Sequence, residues 1–152
     1  MYLLLLAFFS SAVVTDVTGY WIGETEDKNR LFLTFRGIDG TYASLQQKLN
    51  EGEVEQWHIQ FGYWELASNE ISTSIVGMHS EDGTKVLSAC VSPKVTYSID
   101  TLGNDILRYT SKKSGTTYST KRSTVEQDNE KISNQTLEFI RDKLAKHKEV
   151  CE

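Results

Sequence analysis

The chain has 152 residues, of which 39% are hydrophobic and 11% aromatic, a composition that suits one globular domain and excludes a disordered chain. Its 16 Lys and Arg against 21 Asp and Glu give a formal net charge of −5, which argues against nonspecific nucleic-acid binding. One Pro among seven Tyr, six Phe and three Trp favours strands over helices.

The first predicted element is a secretory leader over residues 1–12. An apolar core at 3–9 precedes Ser10, Ser11 and Ala12, and Ala12 is the expected last residue of the leader. The apolar run is too short to span a bilayer. This pattern predicts a secreted or periplasmic protein without a stable membrane span. The alternative is that the same stretch forms a buried first strand or helix.

Residues 13–122 are predicted to form a barrel of short strands joined by local turns. Alternating apolar residues and turn signals place strands at 21–25, 30–36, 41–49, 54–66, 70–78, 85–91, 94–100, 106–111 and 116–122. Asp39-Gly40 marks a hairpin turn, and Gly62 inside the longest strand predicts a bulge at a barrel corner. Consecutive strands without intervening helices indicate an antiparallel meander.

Residues 123–152 are predicted to form a C-terminal helix, because Gly and Pro disappear and Lys, Glu and Gln become frequent. The motif S-T-V-E at 123–126 fits a capping box. Leu137, Ile140 and Leu144 form a narrow apolar stripe, which favours a helix packed on the outside of the barrel. The alternative is an amphipathic helix that binds a partner.

Together these motifs resemble the lipocalin-like, or calycin, group of small barrels. The resemblance rests on Gly19-x-Trp21, on D-G-T-Y at 39–42, on G-Y-W at 62–64 and on the tyrosine-rich closing strands that end in Lys121-Arg122. It implies a mainly β fold, a meander barrel with one helix outside. It also implies that Gly19 and Trp21 form the barrel floor, with Arg122 or Lys121 packed on the indole as a cation–π pair.

Two further groups of residues are candidates, one for a ligand pocket and one for a disulfide. Tyr97, Tyr109 and Tyr118 lie on successive strands and could line a ligand pocket, and the alternative is that they only fill the barrel. Cys90 and Cys151 form a possible disulfide in an oxidising compartment, and the alternative is two independent thiols.

The sequence contains no recognisable catalytic or metal-binding motif. His58, His79 and His147 are not at a metal-ligand spacing from one another or from a Cys, and His58 is expected to face solvent. Neither a nucleophile elbow nor a phosphate-binding Gly-rich loop is present. The sequence therefore predicts no enzyme activity, no metal site and no cofactor.

The predicted function is binding of a small, mostly apolar ligand in the barrel mouth. The alternative is a protein-binding module, such as an enzyme inhibitor or a protein with an envelope-associated partner, that has a filled barrel and contacts its partner through loops 51–53 and 80–84. Cavity size separates the two hypotheses. A cavity of about 300 Å³ or more favours the ligand, whereas a core packed to the mouth favours the protein partner.

Overall fold

The computed structural model describes residues 16–88, 90–123 and 132–152. The predicted leader at residues 1–12 lies outside them. Nine strands and one helix occur in the described residues: β1 (Gly19–Glu24), β2 (Arg30–Arg36), β3 (Thr41–Asn50), β4 (Glu53–Ala67), β5 (Glu70–Ser80), β6 (Gly83–Val86), β7 (Lys94–Leu102), β8 (Ile106–Ser111), β9 (Thr117–Ser123) and α1 (Asn134–Cys151).

Eight of these strands close into an antiparallel barrel. The ring runs β1-β2-β3-β4-β5-β7-β8-β9, and β9 pairs with β1 to complete it. The second half of β5 also pairs with the short strand β6, which forms a hairpin with it. The predicted mainly β fold, an antiparallel meander barrel with one C-terminal helix outside, is therefore confirmed.

The two ends of the barrel carry different turns. The closed end contains the start of β1 and the turns at 37–40, 68–69 and 103–105. The open end contains the turns at 25–29, 51–52, 81–82 and 112–116. Because every strand of the ring crosses the barrel, residues that alternate along one strand point either into the interior or towards the outer surface.

The predicted bulge at Gly62 is confirmed. The register between β4 and β5 shifts between Phe61 and Gly62. A Cβ added at Gly62 would lie 1.8 Å from the carbonyl oxygen of Ser74, so the two backbones approach more closely than any side chain permits. Glycine is therefore the residue that this bulge in the longest strand admits.

The strand predicted at 85–91 is wrong at its C-terminal end, because β6 ends at Val86. Beyond β6, the same edge of β5 forms hydrogen bonds with the chain just before β7. Ile75 N donates to the carbonyl of Pro93 at 3.0 Å, and Lys94 pairs with Ser74. No free edge of β5 remains there for a longer β6.

Helix α1 covers the outer surface of β2, β3 and β4. Its buried residues are Leu137, Ile140 and Leu144, the three residues of the predicted apolar stripe. They join the core cluster that contains Leu33 and Ile59 of the barrel wall. The prediction of an outer helix is confirmed. No helix in the described ranges is long and apolar enough to cross a membrane.

The capping box predicted at 123–126 is not the start of the helix. Ser123 is the last residue of β9, and the N-cap is Ser133. The Ser133 side chain accepts a hydrogen bond from Thr136 N at 3.2 Å, which satisfies one of the free N–H groups of the first turn. Ser123, which the motif assigned to the helix, therefore belongs to β9.

Candidate ligand site inside the barrel

Trp21 forms the barrel floor. Its side chain is fully buried, and its indole N–H donates to the carbonyl of Val17 at 2.9 Å. Gly19 has a φ of +90°, and a Cβ at this position would lie 3.2 Å from Nη1 of Arg122. Glycine therefore permits both the backbone conformation and the approach of the arginine that covers the indole.

Arg122 packs on the ring of Trp21 at the closed end of the barrel. It lies directly opposite Trp21 in the β1–β9 register, with its Cζ 4.3 Å from the centre of the Trp21 ring. Its guanidinium also donates hydrogen bonds of 2.7, 2.8 and 2.9 Å to the carbonyls of Asp16, Thr18 and Asn104. The basic residue of the floor is thus Arg122, whereas Lys121 is exposed.

An apolar layer lies on the inner side of the floor. Ile71, Ile99 and Leu107 are buried together with Trp21 and reach the ring of Tyr109. This layer fills the closed end with side chains from four different strands. Any space for a ligand must therefore lie nearer the open end.

Tyr97, Tyr109 and Tyr118 form one aromatic cluster in the interior. The ring centres of Tyr97 and Tyr109 are 5.2 Å apart in an edge arrangement, and Tyr109 and Tyr118 stack at 5.3 Å. All three line an interior cavity of about 70 Å³. Their neighbour Tyr42 lines the same cavity from β3.

Burial shifts the ionisation of several of these hydroxyls to higher pH. It raises the pKa of Tyr109 to about 12 and also raises the pKa values of Tyr42 and Tyr97. At neutral pH the three phenols are hydrogen-bond donors.

The rest of the cavity wall is mostly polar. Thr34 and Ser44 share a hydrogen bond of 3.0 Å between their hydroxyls, and Gln46 donates to Gln60 at 3.1 Å. The volume of about 70 Å³ is well below the 300 Å³ typical of a site for a whole drug-sized ligand. The barrel is therefore filled over most of its depth.

A larger groove lies at the open end, between the turns at 25–29 and 112–116. Its volume is about 510 Å³, and it shares Thr25, Arg30 and Tyr118 with the interior cavity. The cavity and the groove are therefore adjacent spaces separated by these three side chains.

Arg36 is an interior residue that sequence reasoning missed. It is 2% exposed, and its Nε and Nη1 atoms have no hydrogen-bond partner. Its Cζ lies 5.6 Å from the ring centre of Tyr109. Among the described residues no carboxylate forms an ion pair with Arg36, and its guanidinium interacts instead with the ring and the hydroxyl of Tyr109. The strand alternation could have revealed it, because Phe32 and Thr34 precede it on the same face.

His58 is half-buried at the open end, so the expectation that it faces solvent is wrong. It pairs with Gln46 in the β3–β4 register and therefore points to the interior side of the sheet. Burial lowers its pKa, and the nearby guanidinium of Arg30 lowers it further. The mouth of the barrel is thus a place where added positive charge is disfavoured.

The two cysteines are joined to each other and do not line this cavity. Cys90 and Cys151 form a disulfide with their Cα atoms 5.3 Å apart, so it links the C-terminus of α1 to the segment before β7. In the described part of the chain, no group of three or more His, Cys, Asp or Glu side chains is placed to hold a metal ion.

The chain shows little similarity to known proteins. No family model matches the sequence, and no curated protein matches it. Among solved structures, the chain is similar to an uncharacterized protein from Bacteroides eggerthii DSM 20697. The TM-score is 0.43 at 14% identity, and the match covers 71% of this chain and 100% of that one.

Proposed function

We propose that this chain is a lipocalin-like binding protein without enzymatic activity, whose ligand enters the barrel from its open end. One observation carries the proposal. Trp21 and Arg122 seal one end, while a tyrosine-lined cavity meets a wider groove at the other. Ligand sites recur at the mouths of barrels with this arrangement.

The volumes define the shape of the proposed ligand. The interior cavity of about 70 Å³ accommodates a small end group, and the groove of about 510 Å³ accommodates the body. The ring faces of Phe32, Tyr109 and Tyr118 offer apolar contacts, whereas the hydroxyls of Thr34 and Ser44 offer polar ones. The apolar part of the ligand therefore lies against these rings, whereas the part held by the groove carries hydrogen-bonding groups, because polar side chains such as Thr25, Asn29 and Ser114 line most of the groove.

Native mass spectrometry of protein purified from its own host tests this proposal. We expect a co-purifying small molecule that is lost on denaturation. Gln46 lines the cavity, so Gln46→Trp should block the entrance and abolish the extra mass. The matched control is Gln47→Trp, because the next residue of β3 leaves the opposite face of the strand. Equal ligand occupancy in both variants, or bare protein in the parent, would contradict the proposal.

A second candidate is the protein-binding module, with its partner at the loops 51–53 and 80–84. Two observations favour it, because the barrel is largely filled and both loops lie at the open end. Crosslinking in the host followed by mass spectrometry separates the candidates. A partner crosslinked through these loops, together with bare protein in the native spectra, would favour this second function.

We also propose that the protein is exported after cleavage of residues 1–12. The disulfide between Cys90 and Cys151 supports an oxidising compartment, where such bonds persist. N-terminal sequencing of protein from its native source should give Val13 or a close neighbour. Retention of Met1 on the folded protein would contradict the proposal.

A further inference from the structure

An apolar groove lies on the outer surface of β1 and β9, beside the strands that α1 covers. Its volume is about 570 Å³, and the aliphatic side chains that line it are Ile22, Leu31 and Ile106. Ile22 is 50% exposed and Ile106 is 52% exposed, so two large aliphatic side chains face solvent. We call this groove and the side chains that line it the β1–β9 face. Contiguous exposed apolar surface of this kind is typical of an interaction site.

The strand register places these side chains on one surface. Lys121 of β9 lies directly opposite Ile22 on one side and Ile106 on the other, so the three form a row across β1, β9 and β8. Glu24 lies two positions further along β1, opposite Leu31 of β2. Directly opposed residues of antiparallel strands point to the same side of the sheet. The β1–β9 face is therefore a continuous surface to which four strands contribute.

The charges on this face are balanced and unpaired. Two carboxylates and two ammonium groups line the groove, those of Glu24, Glu26, Lys28 and Lys121, so their charges sum to zero in a chain of net charge −5. Among the described residues, none of the four takes part in an ion pair. Apolar side chains accompanied by peripheral polar groups are typical of protein interfaces.

A two-fold axis over Ile22 makes this surface complementary to itself. The corners of one rectangle on the surface are the two register pairs Ile22–Lys121 and Glu24–Ser119. Glu24 and Lys121 are diagonal corners of that rectangle. Rotation about the other diagonal therefore brings Glu24 of each molecule opposite Lys121 of the other, and Ile22 opposite its own copy. In such an isologous contact each attractive pair occurs twice.

We propose that the β1–β9 face is a homodimer interface, in which two copies of this chain meet across a two-fold axis over Ile22, with Glu24 of each copy against Lys121 of the other. A different partner must carry a matching set of charges, whereas a second copy supplies that set by symmetry. The long stem of Lys121 covers apolar surface while its ammonium group reaches the carboxylate.

This inference goes beyond the proposed ligand-binding function and does not depend on it. The β1–β9 face is on the side of the barrel, whereas the proposed ligand enters at the open end. The two regions adjoin, because Thr25, Glu26 and Thr117 line both the β1–β9 face and the groove at the open end. A second copy therefore stands beside one wall of that groove.

Analytical ultracentrifugation of the purified protein over a concentration series tests the interface. We expect a reversible equilibrium between one and two chain masses. Ile22→Asp sets a carboxylate against its own copy on the axis and should raise the dimer Kd at least about tenfold. The matched control is Val54→Asp, which should leave the Kd unchanged, because Val54 is 48% exposed on β4 and does not line the groove.

Three results of this experiment would overturn the inference. The first is a parent that stays monomeric over the whole series, and the second is a dimer whose Kd is the same in Ile22→Asp. The third is a monomeric parent that loses a bound small molecule on Ile22→Asp, which would assign the groove to a ligand instead.

Exchange of the charges tests the orientation of the two copies. Glu24→Lys alone and Lys121→Glu alone should each raise the dimer Kd by about threefold to thirtyfold, because each change sets like charges against each other twice. The double variant Glu24→Lys/Lys121→Glu restores both attractive pairs and should return the Kd close to that of the parent. A double variant as weak as the single ones would overturn the proposed arrangement.

An Ile22→Cys variant tests the position of the axis. The two cysteines of the chain are joined as Cys90–Cys151, so the variant adds one free thiol per chain. Diamide oxidises two thiols to a disulfide, which forms only where the Cα atoms approach within about 7 Å. We expect covalent dimers on a non-reducing gel from this variant and far fewer from the control Val54→Cys. Equal amounts from both variants would overturn the inference.

Discussion

At the scale of single residues, the floor of the barrel depends on a pair that serves two purposes. Trp21 fills the closed end, whereas Arg122 donates to two backbone carbonyls of the chain that precedes β1 and to one in the turn between β7 and β8. The cation–π contact adds about 0.5–2 kcal/mol, depending on burial. Loss of the indole removes both the packing and the surface on which the guanidinium rests.

We expect the variants of this pair to fall in a definite order of stability. Trp21→Ala should lower the free energy of unfolding most, by about 3–5 kcal/mol, because it opens a cavity. Arg122→Ala should follow, and Arg122→Lys should be mildest, since Lys keeps the charge but loses the planar stacking and the directed hydrogen bonds. Denaturant titration measures all three. A Trp21→Ala variant that unfolds at the same denaturant concentration as the parent would contradict the assignment of the floor.

Arg36 shows how a sequence can conceal a buried charged residue. Alternation along β2 puts it on the same face as Phe32 and Thr34, yet a charged residue at the end of a strand is normally read as exposed. Its burial follows only when the ring of eight strands closes and the apolar floor forms beneath it. Local sequence patterns do not contain that information, because it depends on contacts between distant strands.

At the scale of elements, α1 is held to the barrel by one face. Ile140 is 1% exposed and packs on the outer wall, whereas its neighbour Phe139 is 37% exposed. Ile140→Ala should lower the free energy of unfolding by about 2–5 kcal/mol. Phe139→Ala is the matched control and should cost clearly less, because less of its surface is buried. Equal losses by thermal or chemical denaturation would contradict this packing.

The disulfide holds the end of the same helix. It joins residues 61 positions apart, and closing a loop of that length stabilises the fold by about 4 kcal/mol in the chain-entropy model. A Cys90→Ser/Cys151→Ser double variant should therefore unfold at lower denaturant concentration. Dithiothreitol should destabilise the parent and leave the double variant unaffected. If peptide mapping under non-reducing conditions finds both thiols free, the prediction fails.

Most elements of the fold could be predicted from the sequence, because strand alternation and turn residues are local signals. The wrong predictions concern residues whose secondary structure depends on tertiary contacts. Ser123 fits a capping motif but completes β9, since the barrel needs that strand to pair with β1. The site is predictable only in part. The three tyrosines were identifiable on successive strands, but the size of the cavity depends on how side chains from eight strands fill the interior.

At the scale of the whole molecule, the barrel contains two differently built cores. The cluster beneath α1 is apolar and lies outside the ring of strands, with Leu33, Leu45 and Ile59 as its wall. The interior is apolar only near the floor and becomes rich in hydroxyl groups towards the open end. The helix-covered surface thus supplies a large share of the hydrophobic stabilisation, which leaves the open half of the interior available for polar side chains.

This arrangement couples global stability to the ionisation of the interior tyrosines at high pH. Burial raises the pKa of Tyr109 from 10.0 to about 12, so between these values the unfolded state loses a proton that the folded state retains. The stabilisation is present in full below pH 10 and is lost as the pH rises towards 12, by on the order of 2–3 kcal/mol. Denaturant titrations at pH 9 and pH 11.5 should show this loss, with tyrosinate absorbance appearing together with unfolding. Tyr109→Phe should make the decrease smaller, since the variant lacks one of the three buried phenols whose pKa values are raised and retains Tyr42 and Tyr97. An identical decrease in the parent and the variant would mean that Tyr109 ionises freely in the folded barrel.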